Sequence, residues 1–263
     1  LEKENIIVGG HMATGRSAGK SGSKKKSANK MTVKQMRGVI KFLIWTNVIL
    51  LVAVLVLSVL LAKSRTSRVN IIKPERSYTV CIDPGHGGTD TGAIGLNGLY
   101  EKDGNLQLSL KVAKLLKDNG VNVVMTREDD STVESEERAA IANDSNADLF
   151  LALHRNYTAS SEAHGVEAWI HSSGSERSYA IANSILDQLE AVGISQNRGV
   201  RVGTQFDSEN NYIVIKQTNM TGLIIEMGFI SNETDVELYD ENMDDYAAAI
   251  ANGIISWLNE YVK

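Results

Sequence analysis

His86 lies in the turn Asp83-Pro84-Gly85-His86-Gly87-Gly88, straight after the strand-like run Tyr78-Thr79-Val80-Cys81-Ile82. Loops at the ends of such strands are where α/β folds keep their chemistry. Glu101 follows fifteen positions later, at the head of a helical pattern, and His154 ends a second apolar run, Leu149-Phe150-Leu151-Ala152-Leu153. Neutral imidazole and carboxylate are both good ligands for Zn²⁺, and a catalytic zinc site takes three protein ligands and leaves one position to water. His86, Glu101 and His154 supply that count. No short HExxH pattern ties them together, so spacing alone leaves a second reading open, a glycine-rich turn with an exposed histidine.

A fourth residue weighs on the choice. Leu223-Ile224-Ile225-Glu226-Met227-Gly228-Phe229 sets one carboxylate in the middle of an apolar run, and burying a glutamate without a partner is expensive. Beside a metal site Glu226 would act as general base and then hand the proton to a leaving amine. The alternative is a glutamate paired with a buried arginine.

The elements that must hold these residues alternate in type. Leu106, Leu110, Ala113 and Leu116 recur at helical spacing before Gly120, and Val121 to Met125 reads as a β run. Ser131-Thr132-Val133-Glu134 matches a capping box opening a helix that ends near Asn146. Further strand-like runs are predicted at Gly165 to Ile170, Tyr212 to Ile215 and Leu223 to Ile225. Helices are predicted from about Glu176 to Val192, over Asn232 to Tyr239 and over Asp244 to Tyr261. Continuously apolar strands between amphipathic helices indicate an α/β domain with a mostly parallel sheet covered on both faces. The single cysteine, Cys81, falls in a strand and is expected to be buried and inert.

Charge divides the chain. Residues 1 to 76 hold 15 basic and 3 acidic side chains, and residues 77 to 263 hold 12 basic and 29 acidic. So acidic a domain repels polyanions, which argues against nucleic acid as a partner. The first eleven residues, ending Gly9-Gly10-His11 before Met12, read as a remnant of cloning and are set aside from the fold. From Arg16 to Lys41 there are nine basic residues and no acidic one among Gly, Ser and Ala, and residues 1–41 are expected to be a disordered cytoplasmic segment. Residues 42–62 carry no charge and are long enough for one transmembrane helix. The basic arm before them predicts a cytoplasmic amino terminus and an acidic domain on the outer side of the cell membrane. A cleaved signal peptide is the competing reading, but the run exceeds the usual length of about 7–15 residues and Leu60-Leu61-Ala62 lacks the small first residue of a cleavage motif. Residues 63–76 read as a linker and residues 77–263 as one catalytic domain.

The glycines of 85 to 95 are no phosphate cradle, since neither Gly-Lys-Ser/Thr nor GxGxxG follows the first strand. Instead, an ordered series resembles the bacterial zinc-dependent N-acetylmuramoyl-L-alanine amidases. It comprises the Asp83 to Gly88 turn, Glu101-Lys102-Asp103, Thr126-Arg127, Arg138 with Ala142-Asn143, Ala147-Asp148-Leu149-Phe150, His154 with Asn156, Asn197-Arg198-Gly199-Val200 and Glu226 to Asn232. The resemblance runs from Tyr78 to Lys263. It implies a six-stranded sheet with helices on both sides, one Zn²⁺ per chain held by His86, Glu101 and His154, and Glu226 as the catalytic carboxylate. It further implies a peptidoglycan substrate, cut between N-acetylmuramic acid and L-alanine in wall remodelling or autolysis. Two departures stand out: Ala152 replaces the serine common two residues before the second histidine, and Thr221-Gly222 replaces Pro-Ala. A catalytically weak wall-binding or scaffolding protein of the same fold is the alternative. Whether a protein activator is needed is not written in the sequence.

Overall fold

A computed structural model describes residues 32–65, 77–96 and 98–262. The chain divides into two compact units between Ser58 and Val59. Helix α1 (Val33–Arg65) contains a stretch, Val33–Leu57, of mean hydropathy 2.5 that is exposed along its whole length. It is long and apolar enough to cross a membrane, as a signal sequence also is. Disorder was expected up to residue 41, but α1 already begins at Val33. Lys, Gln, Met and Arg are good helix formers, and extending an existing helix costs far less than nucleating one. The rest of the expected disordered segment lies outside the described residues, as does the expected linker 63–76 except for 63–65, which continue α1.

The second unit is built on a six-stranded sheet of order β2-β1-β3-β6-β4-β5. Its elements in chain order are β1 (Thr79–Pro84), α2 (Glu101–Asp118), β2 (Asn122–Met125), α3 (Ser135–Asp144), β3 (Leu149–Asn156), β4 (Val166–Ile170), α4 (Glu176–Val192), β5 (Asn197–Val202), α5 (Ile213–Lys216), β6 (Thr221–Phe229) and α6 (Glu233–Tyr261). Every neighbouring pair is parallel except β4 with β6. Alternate side chains serve the two faces. Val80, Ile82, Leu149, Leu151, Leu153, Leu223 and Ile225 meet Leu108, Val112, Ile181, Ile185, Ile250 and Trp257 of α2, α4 and α6 in the larger core. Cys81, Phe150, Ala152, Trp169 and Ile224 face the other way, onto Ala142 of α3 and Val214 and Ile215 of α5.

The thinner layer positions the site. One step beyond its apolar rows, the residues sharing that face are Asp83 beyond Cys81, His154 beyond Ala152, and Glu226 beyond Ile224, where register sets His154 against Glu226 and Glu226 against Glu167. Helices α2 and α3 follow β1 and β2 to opposite faces, and the chain passes from β2 across β1 to β3. His86 and His154 therefore leave the sheet at its switch point, where α/β folds bind ligands.

Two local expectations are corrected. Tyr212 to Ile215 is no strand but the start of α5, a single helical turn whose Val214 and Ile215 cover one face of the sheet. The capping box at 131–134 does not form: Glu134 is the cap residue of α3 without a side-chain bond, and the Thr132 hydroxyl accepts from the Thr89 amide at 3.1 Å. The two closing helices are found as expected, run together within α6 but separated by a kink at Asn242, whose φ of −114° and ψ of 16° interrupt the helical geometry.

Candidate active site

His86 is held in the left-handed region, with φ of 60°. Such a conformation in a residue other than glycine costs on the order of 1–3 kcal/mol and persists only where the surroundings over-determine it. Two buried arginines do that here. Arg127 donates to the carbonyls of Pro84 (2.9 Å), Gly85 (3.0 Å) and Lys102 (2.9 Å). Arg138 donates to Pro84 O and His86 O, both at 2.8 Å, and to Asp83 Oδ1 at 2.7 Å. Gly85 is required for a different reason, because a Cβ there would run into the His154 ring.

The clamped turn brings His86 against Glu101 and His154. Glu101 Oε1 lies 3.2 Å from His86 Nε2 and 3.1 Å from His154 Nδ1, and the two rings meet edge to face at 4.9 Å between centroids. The same oxygen accepts from the Arg155 amide at 3.0 Å, and Oε2 accepts from the Ala93 amide at 3.0 Å. Asn105, one turn along α2, donates to Glu101 Oε1 at 3.2 Å. One donor atom from each of the three side chains falls within 4.8 Å of the others, so the trio could hold a metal ion. Burial disfavours charge at Glu101, yet the two imidazoles hold its carboxyl well below the usual range. Burial likewise opposes a charged ring at His86, but Glu101 and Asp90 outweigh it and lift the imidazole to about 9. His154 is raised too, by Glu101 and Glu226 against its own burial.

Glu226 stands beside this trio. Burial pushes its carboxyl up to about 7, with His154 opposing the rise and the Glu101 and Glu167 charges adding to it. No hydrogen-bond donor among the described residues reaches its buried Oε2. The expected alternative, a buried arginine as partner, is therefore not what the structure contains at that oxygen. All four sequence-predicted residues line one cleft of about 640 Å³, together with Asp90, Asn156, Tyr157, Gln205 and Tyr212.

Two charged residues of this neighbourhood escaped the sequence reading. Asp90 Oδ2 lies 2.7 Å from His86 Nδ1, the ring atom turned away from Glu101. The only signal for it is its place four residues after His86 in the same loop. Glu167 sits opposite Glu226 across the antiparallel pair and takes hydrogen bonds from Arg198 Nε (2.8 Å), Asn156 Nδ2 (2.8 Å) and Trp169 Nε1 (3.2 Å). A buried glutamate in a run as apolar as Val166-Glu167-Ala168-Trp169-Ile170 carries the same signal as Glu226. At Ala152, the missing hydroxyl leaves no gap in polarity, since the methyl packs among Cys81, Phe150 and Ile224. Thr221 and Gly222 start β6 in register with Leu149 and Phe150, so that departure leaves the strand intact.

Glu226 also predicts a signature in the metal-free chain. A carboxyl raised in the folded state favours folding only while protonated, so this stability is present below the unfolded value near 4.5 and is lost as pH rises through about 7. Glutamine does not titrate. Denaturation of the chelator-treated protein is expected to show Glu226→Gln more stable than the parent at pH 8 and the advantage shrinking toward pH 4; equal stability at both would contradict the burial of an ionisable group there.

Comparison with known proteins adds family and fold. The family model described as N-acetylmuramoyl-L-alanine amidase matches residues 80–256. A Bacillus subtilis (strain 168) protein, YqiI, is 39% identical over 191 residues, covering 72% of this chain and 88% of the relative. The N-acetylmuramoyl-L-alanine amidase LytC of the same organism is 34% identical over 187 residues, which are 70% of this chain but only 36% of LytC. The crystal structure of N-acetylmuramoyl-L-alanine amidase from Clostridium difficile 630 superposes with a TM-score of 0.65 at 32% identity, covering 70% of this chain and 98% of the other.

Proposed function

This chain belongs to the N-acetylmuramoyl-L-alanine amidase family and is a peptidoglycan amidase, and from that premise we propose that it is a zinc enzyme using His86, Glu101 and His154 as ligands and Glu226 as proton carrier. The observation that carries the reading is the convergence of His86 Nε2, His154 Nδ1 and Glu101 Oε1 beside a glutamate whose Oε2 is buried without a donor. Two imidazoles and one carboxylate are a donor set that zinc favours, and three protein ligands leave room for water and substrate. A zinc ion bound there would polarise the scissile carbonyl and make water acidic enough to attack near neutral pH.

The chain's own residues do the rest. Arg127 and Arg138 hold the turn that aims His86, and the Ala93 and Arg155 amides fix the Glu101 carboxylate. Glu226, with a pKa near 7, takes the proton from the attacking water and delivers it to the departing alanine nitrogen. Burial beside the apolar row of Ile224 keeps that carboxyl basic enough for both transfers. Digestion of purified peptidoglycan by the full chain is expected to release stem peptides with a free L-alanine amino group and to leave the glycan strands whole. Cut glycan or cut cross-bridges would contradict the reading.

Asp90 belongs to the same proposal. A carboxylate on the far nitrogen of a ligating imidazole fixes its tautomer and raises its basicity, and losing such a partner costs about 10–100-fold in metal affinity. Asp90→Ala is expected to weaken zinc by that factor in a chelator competition titration, whereas an unchanged affinity would remove Asp90 from the site.

Helix α1 is proposed as the anchor that keeps the enzyme at the membrane, amino terminus inside, with the sheet-bearing unit facing the wall. The hydropathy of Val33–Leu57 and the cluster Lys34, Arg37 and Lys41 at its amino-terminal end support this reading.

A further inference from the structure

Helix α1 carries a pattern that crossing a membrane does not require. At intervals of seven residues stand Val33, Ile40, Asn47 and Val54, and three residues after each stand Met36, Leu43, Leu50 and Leu57. β-Branched side chains at the first kind of position and leucine at the second make the seam of parallel two-stranded coiled coils. A single asparagine among the β-branched positions fixes the register and the number of strands in such coils. Lys34, Arg37 and Lys41 all fall outside the seam, so no like charges meet across it.

Among the described residues nothing covers this seam. Its apolar members are all exposed, from 47% at Met36 to 63% at Val33 and Leu50. Lipid would cover the leucines and valines, but not the amide of Asn47. Its Nδ2 donates to Leu43 O at 2.8 Å, one turn back on the same helix, and no donor among the described residues reaches its Oδ1. Asn47 lies five residues from the middle of the uncharged run 42–62, about 8 Å along the axis, and so inside a hydrocarbon layer of about 30 Å. There a carboxamide keeps an acceptor and a donor hydrogen that hydrocarbon cannot satisfy. The same side chain on a second copy supplies both. The other common mode of helix contact in membranes needs small residues four apart, and Val33–Leu57 contains no such pair among Gly38, Thr46 and Ala53.

We propose that α1 pairs with α1 of a second copy as a parallel two-stranded coiled coil in the bilayer, with the Asn47 side chains of the two copies hydrogen-bonded to each other. The proposal rests on the anchor reading of α1. A common direction of insertion makes the pairing parallel, and identical seams make it isologous. The enzyme then stands on the membrane as a dimer, with two catalytic units on one pair of anchors.

The test places single cysteines along α1 of the full chain and oxidises isolated membranes, with the parent, whose Cys81 is buried, as the background. Leu43→Cys, Leu50→Cys and Val54→Cys are expected to cross-link into dimers at several times the yield of Phe42→Cys, Ile49→Cys and Val52→Cys, which lie off the seam. In detergent micelles, energy transfer between donor- and acceptor-labelled full chains is expected to show the dissociation constant of Asn47→Val raised about 3–30-fold, the range for one polar side chain bonded between membrane helices. Membrane-bound chain that cross-links at no position, or equally at all of them, would overturn the pairing and leave the anchor standing, as would unchanged dissociation of Asn47→Val. Chain that washes off the membrane in alkaline carbonate would overturn both.

Discussion

Glu226→Gln is expected to retain zinc at the parent stoichiometry and to lose turnover by about 10²–10⁴-fold, the range that a positioned proton carrier contributes. Three features set the size of the effect. Burial raises the carboxyl to about 7 in the metal-free chain, which makes it a stronger base than a solvated glutamate. Its buried Oε2 has no hydrogen-bond donor among the described residues, so no protein group stabilises the charged form at that oxygen. Glutamine keeps the shape and the β6 register but cannot take a proton, and the proposed ligand atoms of His86, Glu101 and His154 are untouched. Zinc content by atomic absorption and kcat on peptidoglycan, measured on the same sample, separate the roles. A variant with near-parental kcat would remove Glu226 from the reaction, and one that lost zinc would move it into the ligand set.

Arg138→Ala is expected to destabilise the folded unit by about 3–5 kcal/mol, the cost of leaving a buried charge without its partner. Arg138 and Asp83 are 6% and 1% exposed, and the NH1 to Oδ1 distance is 2.7 Å. The Thr126 hydroxyl also donates to Asp83 Oδ1, but Oδ2 has no donor among the described residues, so removing the guanidinium strands the carboxylate. Since whole domains are stable by only about 5–15 kcal/mol, much of the margin would go. The same change frees the carbonyls of Pro84 and His86 and lets His86 leave its strained φ, so zinc affinity is expected to fall with stability. Urea denaturation followed by tryptophan fluorescence reads the first effect. Pairing Arg138→Met with Asp83→Asn is expected to recover part of the loss, because no charge is then left buried. A loss below about 1 kcal/mol in the single variant would show that the pair does not hold the turn.

The contrast between these residues explains what could be read before the fold was seen. Strands β1, β3 and β6 are legible because each is a continuous apolar run, and the polar residue that ends or interrupts it, His86, His154 or Glu226, marks the sheet's working edge. The structure brings these three edges together because the strands are neighbours, a convergence that spacing alone left open and the resemblance implied. Arg138 was visible as part of a resemblance, but its role was not, since nothing in a sequence says which carbonyls a guanidinium will reach. Asp90 lies in a loop, where no period constrains a side chain. Tyr212 to Ile215 misled because four apolar residues fit a buried strand and a helical turn equally well. The capping box failed because α3 starts later than the pattern requires: Glu134 takes the cap position itself, which leaves Ser131 outside the helix.

Three side chains gathered at the switch point of the sheet are proposed to hold a zinc ion that the amide cleavage requires. The most direct measurement is mass spectrometry of peptidoglycan digests made with the full chain as purified, after chelator treatment, and after zinc is added back. Stem peptides beginning at L-alanine should appear in the first digest, vanish in the second and return in the third. Peptide release that persists through complete removal of the metal, or no release from a chain that has bound zinc, would contradict the claim.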